Sequence, residues 1–242
     1  MEFIYDEEPE YPFLNELSKC VVQFINISVA LTITFFLIRI AELFIFTNLS
    51  LVSDLGRVIS VSLLHELIFI ARILALLFFP FVLLYFNIRN KKVVYLIFGI
   101  CGLLILVLEL VLIIYNYSGS TLFGTELFKY SFTEITQFYK NGVAIDLSTI
   151  TLFIVPLIFF WILLLFTIRR QFIGAHSSLF ILLACMLILF TGISAVPANN
   201  KFNTEHAYSL SINKAAYFTE HTWDYLIDDE PAVGIYESNY YD

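Results

Sequence analysis

Five long apolar runs, separated by polar interruptions, set the pattern of the chain. They cover about Val21–Thr47, Leu67–Ile88, Val93–Tyr115, Leu147–Ile168 and Ser178–Val196. A bilayer core of roughly 30 Å takes about 20 helical residues to cross, so each run predicts a transmembrane helix. None shows the alternating polarity that the shorter strands of a membrane barrel require. Pro80 and Pro156 fall inside spans and predict kinks. Gly99 and Gly102 offer a point of close helix approach on the third span. The fold class expected is an all-α integral membrane protein, a bundle of five transmembrane helices.

The polar segments carry a weaker periodicity. Asn48–His65 sets apolar residues near helical spacing among serines, the pattern of an interfacial helix feeding the second span. Ser131–Lys140 reads the same way, with Ser131 and Glu134 as a cap and Asn141-Gly142 as a stop. Short amphipathic helices on the outer membrane surface are therefore expected. After Val196, Pro197-Ala198-Asn199-Asn200 breaks the chain at the membrane exit. A weakly amphipathic helix is predicted at about Ser211–Leu226, with Ile212, Ala215, Ala216, Phe218, Trp223 and Leu226 as packing residues. The acidic, Tyr-rich stretch Ile227–Asp242 has too little apolar surface to fold alone. The organisation expected is an acidic tail (1–20), a transmembrane domain (21–196) and a connector (197–242).

Composition agrees. The 242 residues are 60% hydrophobic and 14% charged, where soluble domains carry about 25% charge. The net charge of −8 arises from acidic residues crowded into Glu2–Glu16 and Glu205–Asp242, and no clustered basic face is present to bind nucleic acid. Cys20, Cys101 and Cys185 lie far apart without a CxxC pair and read as small buried hydrophobes. The few basic residues set orientation. Arg89, Lys91 and Lys92 follow the second run and Arg169 and Arg170 the fourth, so both connections belong in the cytoplasm. The N-terminus is then cytoplasmic and the C-terminus outside. The first run is too long for a cleaved secretion signal and follows an acidic tail, so it stays as a span.

Ionisable residues inside spans are the candidate chemistry, because each costs about 2.5–3.5 kcal/mol at a helix centre. Arg39 and Glu42 are three apart and share a face. They form either a self-neutralised pair near the outer interface or a polar wall that meets a lipid head group. His65, Glu66 and Arg72 lie at the outer entry to the second span; Glu66 and Arg72 are six apart, so each seeks a partner on another helix. Glu109 interrupts the apolar third span and calls for Arg39 or Arg72 as counterion, in a structural bridge or in substrate or ion handling. GxSxG, HExxH, P-loop and GxGxxG motifs are absent. His206 and His221 lack the spacing of a metal site. No catalytic, cofactor-binding or metal-ligating residue is assigned.

Two stretches carry a family resemblance: Leu122-Phe123-Gly124-Thr125-Glu126-Leu127-Phe128-Lys129-Tyr130-Ser131-Phe132, and Asn213-Lys214-Ala215-Ala216-Tyr217-Phe218. With the five-helix plan and the outer insertion before the fourth span, they resemble the N-terminal membrane domain of the lipoteichoic acid synthase-like family, membrane-anchored sulfatases and phosphotransferases of the alkaline phosphatase superfamily. The resemblance covers about Val21 to Leu226. It implies that the second stretch leads to an extracellular domain holding a Thr nucleophile and a divalent metal, which the chain, ending at Asp242, is expected to lack. The expected function is membrane anchoring and lipid positioning for a phosphoglycerol or phosphoethanolamine transferase or hydrolase, without catalysis by this chain. The partners implied are membrane lipid and a sulfatase-fold domain or subunit, at the inner (cytoplasmic) membrane of a bacterium. The competing reading is a small transporter or channel-like subunit using the intramembrane charges, although five spans without an inverted repeat do not favour it.

Overall fold

In hydrocarbon a main-chain N–H or C=O finds no water, so an apolar segment satisfies its own backbone as helix. The computed structural model describes residues 12–46, 54–119, 122–124, 147–198 and 202–227. Its helices are α1 (Pro12–Phe46), α2 (Leu55–Asn87), α3 (Lys91–Gly119), α4 (Leu147–Arg169), α5 (Ala175–Phe190), α6 (Glu205–Ser211) and α7 (Lys214–Ile227). No strand occurs among the described residues. Helices α1 to α4 are each long and apolar enough to cross a membrane, with mean hydropathies of 2.2, 2.7, 3.0 and 2.7.

Three features differ from the sequence reading. The fifth run forms only the 16-residue α5, about 24 Å long at 1.5 Å per residue. Gly192, at φ +65°, follows the Thr191 cap and ends it, the left-handed turn that glycine tolerates without strain. At the second run, Asp54 accepts the Arg57 N–H at 3.2 Å and the helix continues to Asn87 without a break. Residues 55–65 are thus the first turns of α2 rather than a separate interfacial helix. Residues 48–53 and the predicted Ser131–Lys140 helix lie outside the described residues, as does the tail beyond Ile227. In the connector, α7 lies where the helix is predicted, and α6, capped by Thr204 on Ala207 N–H at 3.1 Å, is an additional helix before it. Ile212, Ala215 and Ala216 are buried as expected, whereas Trp223 and Leu226 are exposed.

Helix α1 is the centre of the bundle and packs against α2, α3, α4 and α5. Two thirds of its apolar window is buried (67%), against 22% for α4, so α4 offers most of its surface to the surroundings. Phe24 on α1 stacks edge-on or tilted against Phe78 and Phe81 of α2 and Phe98 of α3, at 5.1–5.7 Å between centroids, a geometry that suits the aromatic quadrupole. Gly99 and Gly102 let α3 approach α4: a Cβ on Gly102 would stand 2.9 Å from Phe160 Cζ. At the far end, Leu43, Val58, Ala207 and Leu210 pack together and seat α6 over the ends of α1 and α2.

Candidate functional site

The up-down-up order of α1, α2 and α3 brings three intramembrane positions to one level. Arg39 lies seven residues from the end of α1, Glu66 eleven from the start of α2 and Glu109 ten from the end of α3. Arg39 is the hub. Its Nη1 donates to Glu42 Oε2 at 2.5 Å, one turn along the same helix. Its Nε donates to Glu66 Oε2 at 2.9 Å, and its Nη2 reaches the same oxygen at 2.8 Å. Nη2 also donates to Glu109 Oε1 at 3.3 Å. None of these side chains is more than 2% exposed. The guanidinium therefore spreads its donors over three helices, a use that its rigid planar fork suits better than an ammonium would.

The connector completes the cluster. Between α6 and α7 the chain enters the bundle, and Asn213 and Lys214 are as buried as the membrane charges. The Lys214 ammonium bonds Glu42 Oε1 and donates to the carbonyls of Ser209 at 2.7 Å and Ile212 at 3.1 Å. Asn213 Nδ2 donates to both Glu66 oxygens at 3.1 Å, and its Oδ1 caps α7 by accepting the Ala216 N–H at 2.7 Å. Glu109 accepts the first two N–H groups of α7, from Lys214 at 3.3 Å and from Ala215 at 2.7 Å. Two cations thus face three carboxylates, and the positive end of α7, worth about half a charge, stands against Glu109. Burial pushes the Lys214 ammonium down from its ordinary range and Glu42 pulls it back up. Chemically the arrangement is a saturated ion network that clamps the connector to three helices, with no nucleophile poised beside a base.

Of the sequence candidates, Arg39, Glu42, Glu66 and Glu109 come together here. Arg39 is the counterion of Glu109, and its pairing with Glu42 is one part of a larger network. His65 sits half-buried beside Glu66 on α2. Arg72 stands apart: it pairs with Glu220 of α7 at 3.2 Å and donates to the Ile193 carbonyl. Asn213, Lys214 and Glu220 were not singled out from the sequence as site residues. The signal for Lys214 was arithmetic, since one arginine among three buried glutamates leaves carboxylates in search of a cation.

Arg72 and Glu220 border a cleft of about 980 Å³ between α2, α3, α5 and α7. Its lining is largely aliphatic, with Ile73, Leu76, Leu77, Ile105, Leu108 and Leu189, and also carries the polar side chains of Ser194, Thr219, Glu220 and Asp224. Glu220 also accepts from Ser194 Oγ at 2.9 Å and Ala195 N–H at 3.0 Å. Among the described residues, no group of His, Cys, Asp and Glu suited to a metal ion is present. No protein-family model matches the chain, and neither a curated protein nor a solved structure shows significant similarity to it. The class defined by the fold is therefore stated from the residues alone: an all-helical, multi-pass membrane protein with an internal ion network and a lateral cleft.

Proposed function

We propose that the chain is a membrane-anchoring and lipid-positioning domain, in which the bundle holds the connector rigidly and the cleft beneath α7 holds a lipid. The observation that carries this reading is the seating of Asn213 and Lys214 among Glu42, Glu66 and Glu109. A connector that served only as a tether would have no need of a buried clamp; a clamp fixes the direction in which α7 leaves the bundle. The cleft joins an aliphatic lining to the polar side chains of Arg72, Ser194, Thr219, Glu220 and Asp224, the two kinds of surface that an amphiphile engages. In this reading the chain has five spans, with α5 and the residues up to Val196 completing the last. Its N-terminus is cytoplasmic, its C-terminus lies outside the inner membrane, and it serves a sulfatase-fold phosphoglycerol or phosphoethanolamine transferase or hydrolase domain or subunit without doing the chemistry itself. A transporter would turn its intramembrane charges toward a pathway, and here each is turned to another.

The test is twofold. Cysteine labelling in intact cells should find position 90 protected and position 220 reachable from outside. Photo-crosslinking from Trp223 in native membranes should capture lipid together with a metal-dependent hydrolase. External labelling at position 90, or crosslinks from Trp223 that capture neither lipid nor a hydrolase, would overturn the proposal.

A further inference from the structure

Toward the end of the bundle away from the ion network, α1, α3 and α4 enclose a second, much smaller space. Along α3, Tyr95, Gly99 and Gly102 fall on one stripe at helical spacing. At the two glycines α3 meets Leu164, Trp161 and Phe160 of α4 with no side chain of its own between. At Tyr95 a phenol ring stands instead, and beside it is a notch of about 40 Å³ lined by Gln23 and Asn26 of α1, Thr167 of α4 and Gln171 just after it.

The polar groups around the notch are only partly used. Tyr95 O–H donates to Gln23 Oε1, and Thr167 Oγ1–H donates to the Leu164 carbonyl at 3.1 Å. Both hydroxyl oxygens keep their acceptor lone pairs. Among the described residues, the two N–H groups of Gln23 Nε2 have no protein acceptor, and the Gln171 amide has no protein partner. The Gln23 nitrogen is not sealed off either, since it is not one of the closed, unbonded polar atoms. Asn26 is the saturated member: its amide is spent on the Phe172 and Ile173 N–H groups and on the Val22 and Ile173 carbonyls. No carboxylate or ammonium lines the notch, so it suits a small neutral ligand that both donates and accepts. One water needs about 10–15 Å³ and two to four polar partners, and the notch meets both conditions.

We propose that the notch is a hydration site built into the bundle: a water molecule accepts from Gln23 Nε2 and donates to Tyr95 Oη and Thr167 Oγ1, tying α1 and α3 to the end of α4. A bridging water holds two groups nearly as well as a direct hydrogen bond. The bridge matters most for α4, whose apolar window is only 22% buried, and it lies beside the contact through which Asn26 holds the next connection. The inference is independent of the lipid-positioning reading and stands on different contacts.

Two measurements on the intact chain test it. A crystal structure grown from a lipidic mesophase, at a resolution that shows ordered water, should place a peak within hydrogen-bond distance of Gln23 Nε2, Tyr95 Oη and Thr167 Oγ1, and Thr167→Val should weaken or remove it. A double-mutant cycle of Thr167→Val with Gln23→Met, read by denaturant unfolding in micelles, measures the bridge itself. The two side chains do not bond each other, so the water carries their coupling. Their combined effect on the unfolding equilibrium should differ from the product of the single effects by about twofold or more, and Thr167→Ser, which keeps the hydroxyl, should preserve the coupling. A notch without a peak, a notch closed by direct bonds between its side chains, or a cycle whose effects simply multiply each overturns the proposal.

Discussion

Replacing Arg39 with Met keeps the length of the side chain and removes the hub of the network. Four contacts are lost, to Glu42 at 2.5 Å, to Glu66 at 2.9 and 2.8 Å, and to Glu109 at 3.3 Å. Among the described residues, three buried carboxylates are then left with Lys214 as the cation that pairs with them. Removing one partner of a buried pair costs about 3–5 kcal/mol, most of it the penalty of an uncompensated charge. Against a total stability of about 5–15 kcal/mol this is severe, a shift of roughly two to four orders of magnitude in the unfolding equilibrium. Glu109→Gln acts on the other side of the balance. It brings two cations to face two carboxylates, and the amide oxygen still accepts the Ala215 N–H while the NH2 faces the Arg39 and Lys214 donors at 3.3 Å, so its cost should stay at about 1–3 kcal/mol, the scale of an unsatisfied buried group, and below that of Arg39→Met. Two of the Arg39 contacts end on Glu66, so Arg39→Met/Glu66→Gln should recover at least about 1 kcal/mol over Arg39→Met alone. Unfolding in detergent micelles, followed by helical circular dichroism against denaturant, measures all three. Arg39→Met within about 0.5 kcal/mol of the parent, or Glu109→Gln costing as much as Arg39→Met, would refute the charge-balance reasoning.

Further outcomes follow from the same contacts. Lys214→Met should release the connector from the bundle, so a cysteine placed at Ala216, 1% exposed in the structure, should react with a water-soluble maleimide in the Lys214→Met background and stay protected otherwise. Asn26 fixes the α4–α5 connection to α1, accepting the N–H groups of Phe172 at 2.6 Å and Ile173 at 3.0 Å and donating to the Ile173 carbonyl at 3.0 Å. Asn26→Ala leaves these groups unsatisfied and should destabilise by about 1–3 kcal/mol, with faster protease cleavage at 170–174; an unchanged cleavage rate would show that the loop is held by other means. Gly102→Ala drives a methyl against the Phe160 ring, 2.9 Å from Cζ, with Leu31 Cδ1 at 3.4 Å behind it, and should cost about 1–3 kcal/mol by overpacking. Gly99→Ala meets chiefly the end of the Leu164 side chain, which can turn away, and should melt closer to the parent.

The sequence by itself determined the membrane class, because hydropathy over some 20 residues is a local property and backbone satisfaction in hydrocarbon leaves helix as the solution. It also isolated Arg39, Glu42, Glu66 and Glu109, since a charge inside an apolar run stands out wherever its partner is. Tertiary structure decided who pairs with whom. That depends on the depth at which antiparallel helices align, and neighbours along the chain do not encode it: Glu66 and Arg72, on one helix, face different partners 27 and 148 positions away. Lys214 was least visible because it sits in a polar stretch, where a lysine is unremarkable until the fold carries it into the bundle. The length of α5 was likewise fixed by Gly192, whose left-handed turn ends the helix inside a run that hydropathy treats as continuous.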